Sequence, residues 1–215
     1  MPVSASSVEE PVVVGPAGAL EAKLELPEGE PNATALICHP HPLHGGTMDN
    51  KVVSMLSRSF LALGAAVLRF NFRGVGASAG SYADGAGELE DALAASTWLR
   101  ERWPDLPQYL GGFSFGAAVV LHAAISVRPA GLVTVALPVA RIEPDMALPA
   151  VPWLLVHGDG DELVALDSLI DWLNDQGPGP ELEVVSGADH FFHGKLADLK
   201  NGVTSFFAPP EAAIE

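Results

Sequence analysis

Apolar residues along this chain fall into two alternating patterns. Thr34 to Cys38, Ala66 to Phe70, Tyr109 to Phe113, Leu132 to Leu137, Trp153 to His157 and Leu182 to Val185 are mostly continuous apolar runs, as expected of parallel strands buried on both faces. Between them, Lys51 to Leu63, Ala86 to Arg102, Phe115 to Val127, Leu166 to Asp175 and Lys195 to Phe207 carry apolar residues at helical spacing, with Gly64 and Gly177 placed as stops. Ahead of these lie two further strand signals, Val12 to Val14 and Leu20 to Leu26. In the second, Leu20, Ala22, Leu24 and Leu26 alternate with Glu21, Lys23 and Glu25, the pattern of a strand with one wet face. The alternation of strands and helices predicts an α/β fold: a mostly parallel sheet with helices on both faces, entered through an antiparallel pair.

A chain of 215 residues that is 48% hydrophobic supports one core, so residues 1–215 are read as one domain. Residues 1–11 and 208–215 are expected to be mobile tails, and Pro178, Pro180, Pro209 and Pro210 punctuate loops and the tail. Between Pro138 and Pro152 about fifteen residues separate two core strands, too few for a cap domain over that end of the sheet.

Charge and cysteine usage narrow the partners. A formal charge of -16, with no basic cluster to override it, disfavours nucleic acid and anionic membrane surfaces. No apolar run reaches spanning length, and the acidic start, Met1 to Pro11, lacks the apolar segment of a signal peptide. Cys38 is the only cysteine and sits in an apolar run, so no internal disulfide forms and an inert buried thiol is expected. These features together place the chain in the cytoplasm; they leave its oligomeric state unread.

In such sheets chemistry gathers beyond the carboxyl ends of the strands. Two Gly-x-Ser-x-Gly pentapeptides occur, around Ser78 and Ser114. The motif works where a buried strand runs straight into the serine and a helix starts at once behind it. Ser114 has that setting, between Tyr109 to Phe113 and the apolar helix from Phe115, whereas Ser78 follows a loop and is read as a loop residue. A helix N-cap is the alternative role for Ser114. An acid and then a histidine are needed further along the chain, each just after a strand. Asp161, after Trp153 to His157, and His190, after Leu182 to Val185, meet that order; Asp159 or Glu162 as acid and His193 as base stay open. A carboxylate on one imidazole nitrogen fixes the tautomer and leaves the other nitrogen to take the serine proton.

The segment His39-Pro40-His41-Pro42-Leu43-His44-Gly45-Gly46 is the most unusual in the chain. Three histidines suggest a metal, but no acids accompany them to complete a hydrolytic zinc site, so no metal and no cofactor are expected. The loop reads instead as an oxyanion loop. Pro40 and Pro42 lack N–H groups, which leaves His41 as the backbone donor, paired with the N–H of Phe115. His39 is expected to pack the loop, and His44 has no assigned role.

His39-Pro40-His41-Pro42 with Gly45-Gly46 and Met48-Asp49-Asn50, then Asn71-Phe72-Arg73-Gly74-Val75-Gly76, the Ser114 elbow, Asp161 and His190-Phe191-Phe192 carry a resemblance. Over nearly its whole length the chain resembles the small lidless α/β-hydrolases related to dienelactone hydrolase and the carboxylesterases. The resemblance implies an eight-stranded α/β-hydrolase sheet without a cap and a Ser-His-Asp triad that cleaves small-molecule esters without a cofactor. Dienelactone hydrolase carries cysteine in the elbow, so Ser114 speaks against lactone specificity. Thioester or peptide-bond hydrolysis by the same triad, and a non-catalytic scaffold that binds a ligand or partner, are the competing functions.

Overall fold

The computed structural model describes residues 7–143, 145–176 and 179–208. Eight strands form one sheet: β1 (Val8–Glu9), β4 (Ala22–Glu25), β5 (Ala33–Cys38), β6 (Ala65–Phe70), β7 (Gln108–Phe113), β8 (Gly131–Val135), β9 (Trp153–Gly158) and β10 (Glu181–Val185). Their spatial order is β1-β4-β6-β5-β7-β8-β9-β10. From β6 to β10 all neighbours are parallel, while β1 on β4 and β4 on β6 are antiparallel. Two further strands, β2 (Val13–Gly15) and β3 (Gly18–Leu20), make a separate hairpin.

Successive residues of a strand face opposite sides, and the core divides accordingly. Ala35 and Ile37 of β5 and Val67 of β6 pack with Val52, Leu56 and Phe60 of α1 (Lys51–Ala62) and Leu199 and Val203 of α5 (Leu196–Phe207). Leu36, Leu68, Phe70 and Leu110 pack on the other side, with Ala92, Ala95 and Leu99 of α2 (Ala86–Arg102), Val120 and Leu121 of α3 (Phe115–Val127) and Leu169 of α4 (Leu166–Asp175). A strand wanted on both faces cannot alternate with polar residues, which is why these runs are mostly apolar; β10, expected to be buried on both faces, lies instead at the sheet edge with Val184 exposed. Cys38 of β5 is fully buried, and burial pushes its thiol up, with the nearby Asp91 charge adding to the shift.

Two further expectations are corrected. Val8–Glu9, within the stretch read as a mobile tail, pair with Leu24 and Glu25 and cover the edge that β4 would otherwise expose. The alternating run Leu20 to Leu26 is two strands rather than one. The chain passes from the hairpin to the main sheet at Glu21, whose N–H donates to Ser78 Oγ (2.9 Å) and whose carbonyl accepts from Asn71 N–H (2.8 Å). Tertiary bonds set that break, and hydrophobic alternation does not register them. Gly177, Pro178, Pro209 and Pro210 lie outside the described residues.

The segment after β8 builds no cap. A short 3-10 turn at Val139–Arg141 leads to buried Ile142, and Met146, Leu148 and Val151 pack on the α2–α3 side of the core. Among the described residues no helix is long and apolar enough to cross a membrane.

Candidate active site

Strand β7 runs directly into Ser114 and α3 starts with the next residue. The turn is so sharp that Ser114 takes a left-handed φ of 54° with ψ of -119°, a conformation costing roughly 1–3 kcal/mol for a non-glycine residue. Backbone bonds hold it there: Ser114 N–H donates to Val135 O (2.8 Å), and Ser114 O accepts from Ala117 N–H (2.8 Å). The flanking glycines are required by close approach. A Cβ on Gly112 would collide with the backbone of Gly116, and one on Gly116 with the carbonyl oxygens of Cys38 and His39. The Ser114 side chain makes no capping bond to α3, so the N-cap role is not the one it fills.

Instead the hydroxyl points to the loop after β10. Ser114 Oγ–H donates to His190 Nε2 (3.1 Å), and His190 Nδ1–H donates to Asp161 Oδ2 (2.7 Å). Asp161 lies on the loop after β9, where its other oxygen, Oδ1, accepts from Leu163 N–H (2.8 Å) and Val164 N–H (2.9 Å). The Asp161 side chain is 0% exposed and that of His190 7%. Burial raises the Asp161 carboxyl pKa, but the bond from His190, the backbone bonds and the His190 charge outweigh it, so the group lies below its usual value and is ionised. An ionised carboxylate only accepts, which places the imidazole proton on Nδ1 and leaves Nε2 facing the serine.

The alternatives are engaged elsewhere. Asp159 accepts from Ser186 Oγ–H (3.0 Å) and Gly187 N–H (2.6 Å), tying the loop after β9 to the loop after β10. Glu162 is exposed. His193 is exposed and its Nδ1–H donates to Asp189 Oδ2 (2.7 Å). Ser78 is buried in its loop, where its hydroxyl donates to Asn71 O (2.6 Å).

The three histidines after β5 do not converge. His39 is fully buried; Nδ1–H donates to Pro40 O (2.6 Å) and Nε2 accepts from Phe72 N–H (3.0 Å), so both nitrogens serve the loop's architecture. His41 stacks on His44 with ring centroids 4.5 Å apart and lies beside Tyr82 and Phe115. Among the described residues no three His, Cys, Asp or Glu side chains are grouped as a metal site. The backbone N–H groups of His41 and Phe115 have no acceptor among the described residues. Ser114 and His190 open into a cleft of about 130 Å³ lined also by Pro40, His41, His44, Gly45, Gly46, Asn50, Leu163 and Phe191.

The supporting roles of several residues escape a sequence reading. Arg73 sends Nη2–H to Asp91 Oδ1 (2.7 Å), and its backbone N–H and Nε–H to Asp91 Oδ2 (3.0 Å each), anchoring the Asn71-to-Gly76 loop on α2. Met48 N–H donates to Asn71 Oδ1 (2.8 Å), and Arg69 Nη1–H to Met48 O (2.6 Å), which ties the Met48-Asp49-Asn50 segment to β6 and the loop after it. Buried His157 donates from Nε2–H to Val164 O (2.9 Å) and braces the Asp161 loop. A polar residue ending an apolar strand was its one signal.

Burial pulls the His39 pKa from 6.5 to about 4. The unfolded chain therefore binds a proton at His39 between those values that the folded chain refuses, and stability falls as the pH falls through this window, by about 3 kcal/mol. His157, lowered by burial in the same direction, adds to the loss. Urea unfolding of the wild type is expected to show a lower midpoint at pH 4.5 than at pH 7, with a smaller difference in His39→Gln. Equal wild-type midpoints at both pH values would contradict this account.

A family model described as serine aminopeptidase, S33 (Hydrolase_4) matches residues 29–149, more than half of the chain and the part that contains the elbow. The chain belongs to the lidless α/β serine hydrolase family. A member of the α/β serine hydrolases without a lid from Xanthomonas campestris shares the fold of this hydrolase at a TM-score of 0.89 and 40% identity, covering 96% of each chain. An α/β serine hydrolase homologue from Coxiella burnetii is 43% identical at a TM-score of 0.89, over 93% of this chain and 97% of that one. An uncharacterized protein of Rickettsia prowazekii (strain Madrid E) is 34% identical over 204 residues, 89% of this hydrolase and 85% of its relative.

Proposed function

We propose that this hydrolase cleaves carboxylic esters through an acyl-enzyme on Ser114, with His190 as general base and acid and Asp161 as its orienting carboxylate. Ser114 Oγ attacks the ester carbonyl carbon while His190 Nε2 takes the hydroxyl proton. The proton then passes to the departing alkoxide oxygen, the carbon–oxygen bond breaks, and an alcohol leaves. In the second step His190 takes a proton from water, hydroxide attacks the acyl carbon, and Ser114 recovers its proton as the acid departs. The N–H groups of His41 and Phe115 receive the developing oxyanion; one such donor is worth about 3–4 kcal/mol of barrier in other enzymes. The observation that carries the reading is the relay from Ser114 Oγ to His190 (3.1 Å) and on to Asp161 (2.7 Å) at a strained elbow.

The family description raises peptide cleavage from a free amino terminus. That chemistry calls for an acceptor for the substrate ammonium; the residues lining the Ser114 cleft include no Asp or Glu, and Asp84 and Glu143 line a separate cavity beside Phe115. An ester asks for no such partner.

A fluorophosphonate probe on wild type, Ser114→Ala and Ser78→Ala, with the adduct located by mass spectrometry, tests the assignment. Labelling at Ser114 in the wild type and in Ser78→Ala, and none in Ser114→Ala, is the expected result. Turnover of p-nitrophenyl acetate should then exceed that of alanine p-nitroanilide and of an acetyl thioester. An unlabelled wild type would instead favour a scaffold that binds without catalysing.

A further inference from the structure

The cleft around Ser114 has two walls of opposite chemistry. The loop between β5 and α1 contributes His41, His44 and Asn50, whereas the loops after β9 and β10 contribute Leu163 and Phe191 beside His190. Leu163 is 69% exposed and Phe191 43%. Both are held by the bonds that fix the site. Leu163 N–H donates to Asp161 Oδ1 (2.8 Å), and the Phe191 ring stands edge-on to His190 at 5.1 Å. Two large apolar side chains converging from different loops on one cleft form a surface that gains from being covered.

Mechanism decides what covers it. In the proposed acyl transfer, on which this inference rests, the carbonyl oxygen turns toward the N–H groups of His41 and Phe115. The leaving oxygen must lie within reach of His190 Nε2, the atom that protonates it. The alcohol side of the ester therefore departs along the wall that carries His190, Leu163 and Phe191. A cleft of about 130 Å³ holds the ester group and its first carbons, so a longer alcohol extends onto that wall.

We infer that the substrate is an ester of an apolar, uncharged alcohol, alkyl or aryl, which lies against Leu163 and Phe191, and that the Leu163 side chain sets this preference. The charge of -16 opposes an anionic leaving group or an anionic lipid surface in the same place.

Two ester series separate the sides. Alkyl acetates from ethyl to hexyl vary only the alcohol and share nearly the same leaving-group reactivity; methyl esters from acetate to hexanoate vary only the acyl group. For the wild type kcat/KM is expected to rise about two- to threefold per methylene along the alcohol series. Leu163→Ser should flatten that rise and lower kcat/KM for hexyl acetate by about tenfold. Leu163→Met should restore it, and the acyl series should keep one slope in all three proteins. Fluorophosphonate labelling of Ser114 is run alongside. A labelled wild type with a flat alcohol series overturns this inference alone, and a Leu163→Ser effect confined to the acyl series reverses the orientation. An unlabelled wild type removes the acyl-transfer reading and the inference with it. A dimer that Leu163→Ser dissociates, with an unchanged alcohol series, would assign the wall to contact between copies.

Discussion

Asp161→Asn is expected to fold and yet to lose about four orders of magnitude in kcat. The carbonyl oxygen of an asparagine can replace Oδ1 and keep accepting from Leu163 and Val164 N–H, so the loop retains its bonds. The amide nitrogen then faces His190 Nδ1, where the carboxylate had accepted at 2.7 Å. A donor there forces Nδ1 to accept and moves the imidazole proton to Nε2, the nitrogen that must receive the serine proton. The base is blocked by its tautomer while every element stays in place. Thermal unfolding close to wild type together with the collapse of p-nitrophenyl acetate turnover checks the prediction; a loss of tenfold or less would rule out the orienting role.

Breaking the pair behind the loop should act on stability instead. Asp91→Ala is expected to cost about 3–5 kcal/mol, a large share of the 5–15 kcal/mol that holds a typical domain together. The Asp91 side chain is 0% exposed and the Arg73 side chain 10%, so deleting the carboxylate strands a guanidinium away from water. Glu90 also reaches Arg73 Nη2 (3.2 Å), but it is 58% exposed and solvent screens it. Urea midpoints would report the loss. A double replacement, Arg73→Met with Asp91→Leu, should recover most of it because no charge is then left unpaired. A change under 1 kcal/mol in Asp91→Ala would mean that water reaches the site freely.

What the sequence made legible follows from what pattern encodes. The expected bounds of α2, α3 and α4 agree with the structure to the residue, although α3 is buried on nearly every side and α4 buries only Leu169, so no single one-sided stripe accounts for them. Buried strands announced themselves as mostly apolar runs, interrupted only by single polar residues such as Thr34 in β5 and Arg69 in β6. By contrast, β1 is two residues long and belongs to the sheet only through its partner, and the break at Glu21 is set by Ser78 and Asn71, some fifty residues away. At the site, Ser114 was visible because it directly follows β7, and Asp161 and His190 because they lie in the loops that follow β9 and β10; the structure brings those three together. The choice between Asp159 and Asp161 was invisible in composition. It depends on which carboxylate the loop turns inward, and backbone N–H groups decide that. Arg73 and Asp91 pair across a loop, a separation for which no periodic signal exists.

The flat segment after β8 has a kinetic meaning. With no cap domain to shut, the proposed turnover needs no lid movement, and solvent viscosity should enter through diffusion of the ester and its products. Bulk solvent also keeps the reacting face at high dielectric, so stabilisation of developing charge falls to fixed donors and to an acid and base screened from beneath. In the proposed acyl transfer, water reaches the acyl carbon from the open side once the first product departs, without waiting for any part of the protein to move.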